Sequence, residues 1–484
     1  MKFNRKVIIC MIMILSMLLG GCGTSLGSSV KKVKLDPDNP TRVVVWHYYN
    51  GDQLEAFNKL IDEFNGSVGK KEGIYVEGSN FGTVNELKDS IGAAVKHRTG
   101  AEAIPNIFAG YADTVYEVDK LGYVVDLKEY LTQEEQDKYI KSYIEEGEFS
   151  GDGSLKIFPT AKSTEIFMLN KTDWNKFADA TGADLDDLKT IEGVTKTAQA
   201  YYEWTDSQTK KKNDGKAFFG RDALANYFII GAKQLGTEIF SVKDGKVTLD
   251  FDKEVIRKIW DNYYVPFVKG YFAASGKFRS DDINTGNILS FVGSSAGATF
   301  FPNEVIVDDT RSYPIDMEVL KAPEFEGGED YAVQQGAGMA VTKTDEKQMY
   351  ASVQFLKWFT EDERNIQFSV ASGYLPVTKT ANDVKKIEET TDLTGNNELP
   401  IVKAAIDTVN HNTLYTTKAF EDGTDARSIL EYAMSDKASA DRKTVVKRLE
   451  KGESFDEAVK DFVSDSNFDT WYEETKAELE KLVK

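Results

Sequence analysis

Strands and amphipathic helices alternate along the first third of this chain, and that alternation restricts the fold more than any other feature. The β-branched run Arg42-Val43-Val44-Val45-Trp46 stops at a polar segment and is followed by Leu54, Phe57, Ile61 and Phe64 at helical spacing. Ile74-Tyr75-Val76 predicts a second strand, and Val84, Leu87, Ile91 and Val95 predict a second helix face. Residues 104–109 predict a third strand, and Val115, Val118 and Leu121 a third helix with Gly122 as its stop. Consecutive strands joined by helices run parallel, so this region predicts an α/β fold whose sheet is covered on both faces. Ligands of such sheets bind beyond the carboxyl ends of the strands. The candidate binding loops are therefore 46–52, 79–82 and 110–113, which carry Trp46, Tyr48, Tyr49, Asp52, Phe81, Tyr111 and Asp113.

The chain has 484 residues, more than one hydrophobic core usually serves, and 41% of them are hydrophobic, so two packed lobes are expected. The predicted organisation puts residues 41–158 and 323–370 in one lobe and residues 159–322 and 371–484 in the other. The chain then crosses between lobes near Phe158, near Pro323, and again between Phe368 and Tyr374. Residues 171–320 read as mostly helical with short strands, 331–341 as a Gly-rich strand segment, and 426–484 as charged, solvated helix.

Lys2, Arg5 and Lys6 precede an uncharged apolar run over residues 7–19, too short to span a bilayer and matched to the core of a secretion signal. Residues 1–21 are thus expected to be removed. The run ends in Leu19-Gly20-Gly21-Cys22, which resembles the lipobox of bacterial lipoproteins and implies a diacylated Cys22. Residues 22–40 are expected to act as a flexible tether, since 23–33 are rich in Gly and Ser. The other cysteine, Cys10, lies in the discarded segment, so no disulfide is expected.

Other chemistries have weaker signals. A net charge of -20 opposes nucleic-acid binding. Only His47, His97 and His411 are available as imidazole ligands, none paired at metal spacing, and no metal or cofactor is expected. Gly293-Ser294-Ser295-Ala296-Gly297 fits the nucleophile pattern of a serine hydrolase, with His411 downstream. That reading needs a strand before Ser295 and a helix after it, whereas residues 297–302 read as a strand ending at proline. A Gly-Ser-Ser turn has a simpler use, presenting N–H and hydroxyl donors to a ligand oxygen.

Several segments, in order, resemble the extracellular solute-binding family of ABC importers, in the branch that takes up carbohydrates and glycerol phosphates. They are Leu169-Asn170-Lys171, Ala371-Ser372-Gly373-Tyr374-Leu375-Pro376-Val377, Val45-Trp46-His47, Arg98-Thr99-Gly100 before Pro105-Asn106-Ile107, Val292-Gly293-Ser294-Ser295 and Gly336-Ala337-Gly338. The resemblance implies a two-lobed periplasmic-binding-protein-like fold with a hinge and a ligand cleft between lobes. It also implies a non-enzymatic, monomeric receptor on the outer face of the cytoplasmic membrane, held there only by its lipid, which passes solute to permease subunits. By position, the ligand residues of the glycerol-phosphate members correspond to Ser163, Ser294 or Ser295, Gly336, Tyr374 and Arg427. Their Tyr and Glu correspond to Thr83 and Ala112, a departure that leaves a sugar or short oligosaccharide as the expected solute and a glycerol phosphate as the alternative. Trp46, Tyr48, Tyr49 and Tyr111 would then offer faces to a sugar ring.

Overall fold

The computed structural model describes residues 30–243, 246–391 and 398–483. Cys22 and the start of the expected tether lie outside them. Residues 30–40, expected to belong to the tether, lie along the first lobe: the Lys31 N–H donates to the Glu129 carbonyl at 2.8 Å, and Leu35 packs on the core.

The backbone of the fold is a pair of four-stranded sheets. Their strands are β1 (Thr41–His47), β2 (Ile74–Asn80), β3 (Ile107–Gly110), β4 (Glu165–Asn170), β5 (Phe219–Arg221), β6 (Ser290–Ser294), β7 (Met317–Lys321) and β8 (Gly338–Val341). In the first sheet the order is β8-β3-β1-β2. β1 runs parallel to β2, from Thr41 opposite Ile74 to His47 opposite Asn80, and parallel to β3. The predicted parallel sheet is thus present, with an antiparallel edge strand, β8, that arrives from far along the chain.

The helices that cover this sheet follow from its spacing. α1 (Gly51–Gly66) buries Phe57, Leu60, Ile61 and Phe64, one face over about two turns. α2 (Val84–Val95) buries Leu87, Ile91 and Val95 and starts at a capping box in which Thr83 and Glu86 exchange hydrogen bonds. α3 (Ala112–Lys120) begins directly after β3, with Tyr111 as its N-cap residue.

The second sheet has the order β7-β4-β6-β5 and is mixed: β4 pairs antiparallel with β6 and β7, and β5 pairs parallel with β6. Every residue of β4 is buried. Its alternate side chains feed two cores, Phe167 and Leu169 on one face, Ile166 and Met168 on the other. On the first face stands α4 (Leu224–Gln234). α5 (Glu346–Phe359) belongs to the first lobe, while α6 (Asp362–Ser372) sends Phe368 into the first core and Ile366 into the core on the Ile166 and Met168 face of the second sheet. α7 (Gly423–Glu450) lays Ala426, Leu430, Met434 and Ala438 on the second lobe at a spacing of one turn.

Three segments cross between the lobes side by side. Phe158 pairs with Met339, Ser163 with Gln335, and Lys162 with Leu375, each through an isolated antiparallel bridge. The first crossing is close to the one expected at Phe158. The second is not at Pro323, because Phe325 and Val333 still pack in the second core and β7 is followed by a strand, Tyr331–Val333, paired with Thr413–Tyr415. The chain returns only at residues 334–338, so the expected strand 331–341 is two strands separated by a hinge. Past the third crossing, Val377 and Ala419 remain with the first core, although residues 371–484 were expected in the second lobe.

Candidate functional site

At the carboxyl end of β3 the chain turns into α3, and this corner faces the start of α7 on the other lobe. Between them lies a cavity of about 320 Å³, within the size range of small-ligand clefts. The first lobe contributes Tyr111, Ala112, Asp113 and Glu146; the second contributes Ala223, Asn226, Thr417 and Arg427. The second crossing, Gln334 to Gly336, lines it as well. Tyr111 keeps 42% of its surface exposed, the most accessible aromatic on this wall.

A chain of polar contacts runs across the second-lobe side. Arg427 donates to Asn226 Oδ1 at 2.7 Å, Asn226 donates to Glu165 Oε1 at 3.0 Å, and Glu165 forms a buried ion pair with Arg221. Burial pushes the Glu165 carboxyl up, opposed by the Arg221 guanidinium. On the hinge side, the fully buried Lys162 ammonium pairs with Glu146 at 2.7 Å and donates to the Gly336 carbonyl at 2.7 Å. Gln334 also donates to Glu146, and its Oε1 is left buried without a partner. Asp113 is raised to about 6 by burial, with Arg427 pulling in the opposite sense. A Cβ added to Gly423 would stand 2.7 Å from Asp113 Oδ1, so the lobes meet closely here. Lys120 and Glu421 bridge the same seam at 2.9 Å.

The structure sorts the residues singled out by sequence. Tyr111, Asp113, Gly336 and Arg427 share the cavity. The Tyr48 phenol lies near those of Tyr111 and Tyr374, and burial raises all three. Ser294 donates to Ser163 at 3.2 Å, and Ser163 pairs through its backbone with Gln335. Gly336 has φ +95°, and an added Cβ would meet the Ala161 carbonyl at 2.9 Å, so only glycine fits.

Five positions fall elsewhere. Trp46 is 2% exposed, shut into the first core beneath Phe81 at a centroid distance of 4.4 Å, and neither ring lines the cavity. Tyr49 is packed between His47, Phe57 and Phe368. Asp52 is exposed on the first turn of α1 and lines an outer groove against α6. Ser295 is fully buried and accepts from the Thr164 N–H at 3.4 Å. The expected strand after it is a 3-10 turn, Ser295–Phe300, and His411 is exposed and paired with Asp407. A buried hydroxyl and an exposed imidazole that share no hydrogen bond are not a nucleophile and its base.

Glu146, Lys162, Glu165, Arg221, Asn226, Gln334 and Gln335 were missed. Two carried a readable signal: Glu165 heads the apolar run Ile166-Phe167-Met168-Leu169, and Arg221 ends the apolar run Phe218-Phe219-Gly220. Charges at such positions are buried only when paired.

Two α/β lobes, three crossing segments and a polar cleft at the strand ends define the class of two-lobed binding proteins. The sequence model of the bacterial extracellular solute-binding proteins matches residues 59–395, and the chain belongs to that family. Solved structures with the same fold include the cyclic α-maltosyl-1,6-maltose binding protein of Arthrobacter globiformis, at 17% identity and a TM-score of 0.65, covering 92% of this chain and 100% of that one. UgpB of Mycobacterium tuberculosis, in complex with glycerophosphocholine, aligns at 16% identity and a TM-score of 0.65 over 92% of this chain and 99% of its own. A solute-binding protein of Agrobacterium radiobacter, in complex with ribitol, aligns at 18% identity and a TM-score of 0.62 over 92% of this chain and 100% of its own. No curated protein sequence matches the chain.

Proposed function

We propose that the chain is the substrate-binding receptor of an ABC importer, captures a sugar or short oligosaccharide in the cleft, and performs no chemistry on it. The observation that carries this reading is the make-up of the cavity. One accessible aromatic ring, Tyr111, faces a rim of carboxylate, amide, hydroxyl and guanidinium groups supplied by both lobes. A sugar offers an apolar C–H face to such a ring and hydroxyls that donate to Asp113 and accept from Arg427. The similar fold of a maltosyl-maltose binding protein agrees with it.

A glycerol phosphate or its diester is the second reading, favoured by Arg427 and by the Ser163–Ser294 hydroxyl pair. Against it, Asp113 and Glu146 line the same cavity and would stand near the phosphate. Thr83 has its hydroxyl committed to the cap of α2. Acylated Cys22 would hold the receptor beside its permease, as a monomer.

A thermal-shift panel of maltose, maltotriose, ribitol, glycerol 3-phosphate and glycerophosphocholine tests the assignment. A saccharide is expected to raise Tm, by an amount set by its concentration over Kd, with loss of the shift in Tyr111→Ala. A shift from the phosphate compounds alone, abolished by Arg427→Ala, would select the second reading.

A further inference from the structure

We propose that a recess on the second lobe, built around Phe278 and Phe300, is an additional sugar-ring subsite, so that the ligand is an oligosaccharide extending out of the main cavity. The inference rests on the sugar reading above. The recess measures about 540 Å³ and is lined by both rings together with Asp222, Asp281, Asn284 and Ser294. Phe300 is 73% exposed, the most exposed large apolar side chain among the described residues, and Phe278 is 55% exposed. Exposed phenyl rings interleaved with carboxylate, amide and hydroxyl groups match the two sides of a pyranose, an apolar C–H face and a rim of hydroxyl donors.

The polar groups of the recess are held in place. Asp222 accepts from the Arg279 N–H at 3.3 Å and lies 3.5 Å from its guanidinium, while Arg279 is itself buried and paired with Asp282. Asp281 accepts from the Phe278 N–H at 3.0 Å, which fixes the backbone that carries the ring. Lys277 lies 5.3 Å over the same ring. Fixed acceptors lose little freedom when a ligand hydroxyl arrives, and this favours binding. The two carboxylates also disfavour an anionic occupant.

The recess and the main cavity are separate, and neighbouring or bonded residues link their linings. Asp222 lines the recess and its neighbour Ala223 lines the cavity. Ser294 lines the recess and bonds Ser163, whose backbone pairs with Gln335 of the cavity. A single sugar ring occupies one of these sites; a chain of rings occupies both.

Calorimetry with maltose to maltohexaose and with cellobiose to cellohexaose tests the subsite. In one of the two ladders, wild-type affinity should rise at least about tenfold with length, and Phe278→Ala/Phe300→Ala should remove about tenfold from the longer members while leaving the disaccharide unchanged. Phe300→Trp should retain the gain with length. Both rings are exposed, and an unchanged Tm will show the variants folded. A length-dependent gain that survives in the double variant, or affinity that does not vary with length in the wild type, overturns the subsite and leaves the sugar reading standing. Absence of binding by every member of both ladders overturns the sugar reading and the subsite together.

Discussion

His47 is a buried base with no charge beside it to favour its protonation. It is 1% exposed, packs edge-on against Phe57 at 4.8 Å and accepts the Tyr49 N–H through Nδ1 at 3.2 Å. Burial lowers it to about 4, against 6.5 for a solvated imidazole. The folded state therefore binds fewer protons than the unfolded chain between these values, and its contribution to stability is present above pH 6.5 and lost as pH falls toward 4. Roughly 2 to 3 kcal/mol should disappear between pH 7 and 4.5 from this residue. Asp113 acts in the opposite sense: raised to about 6, its contribution is full below its ordinary value and is lost as pH rises past 6. Comparing urea unfolding of wild type and His47→Asn at the two pH values isolates the histidine, because the Asn amide oxygen can accept from Tyr49 but does not titrate. The variant should lose less stability on acidification; equal losses would refute the assignment. The aromatic run 46–49 could not be sorted in advance. Both faces of the sheet are covered, so side chains on either face of β1 pack in the first core, and only Tyr48 of the run keeps some exposure.

Among the elements, the crossing segments concentrate the strongest constraints. Lys162 ties the first crossing to the second through the Gly336 carbonyl and to the first lobe through Glu146, with both side chains nearly or fully buried. Removing one partner of such a pair leaves an uncompensated buried charge, so Lys162→Met should cost about 3 to 5 kcal/mol. Lys162→Met/Glu146→Gln should recover much of that loss, and a double-mutant cycle in urea measures the coupling. A double variant destabilised by the sum of the two single losses would show the pair to be uncoupled. The helices and strands of residues 41–120 were legible because each repeats at a single period over two or more turns. The second crossing was not: Pro323 marks a boundary of local chain direction, whereas residues 324–333 still contribute Phe325 and Val333 to the second core. The better local signal was Gly336, whose positive φ is set by contact with the first crossing rather than by its neighbours in sequence.

Over the whole molecule, the two-lobed α/β architecture was legible from length and alternation together, while strand spacing made the cleft legible at one wall only, and Gly336 and Arg427 elsewhere in it came from the family resemblance. The loop 110–113 announces itself at the end of a strand; Asn226 and Glu146 reach the same cavity from interior helical positions or a turn, where nothing in local spacing marks them. Cys22 lies outside the described residues, and its acylation is tested in cells. The wild type should sediment with membranes and Cys22→Ser should appear in the soluble extracytoplasmic fraction; retention of the variant on membranes would refute the anchor.

The placement of β8 has a temporal consequence. It closes the edge of the first sheet beside β3, yet it follows β4, β5, β6 and β7 in the chain. A polypeptide threaded through a channel with its N-terminus leading exposes Val45, Phe108 and their neighbours early, before Met339, Ala340 and the helix after them are available to cover them. The first lobe to start thus stays incomplete for longer than its own N-terminal strands require: an unfinished sheet edge waits through the emergence of the whole second sheet, the interval in which a folding helper on the far side of the membrane has most to protect.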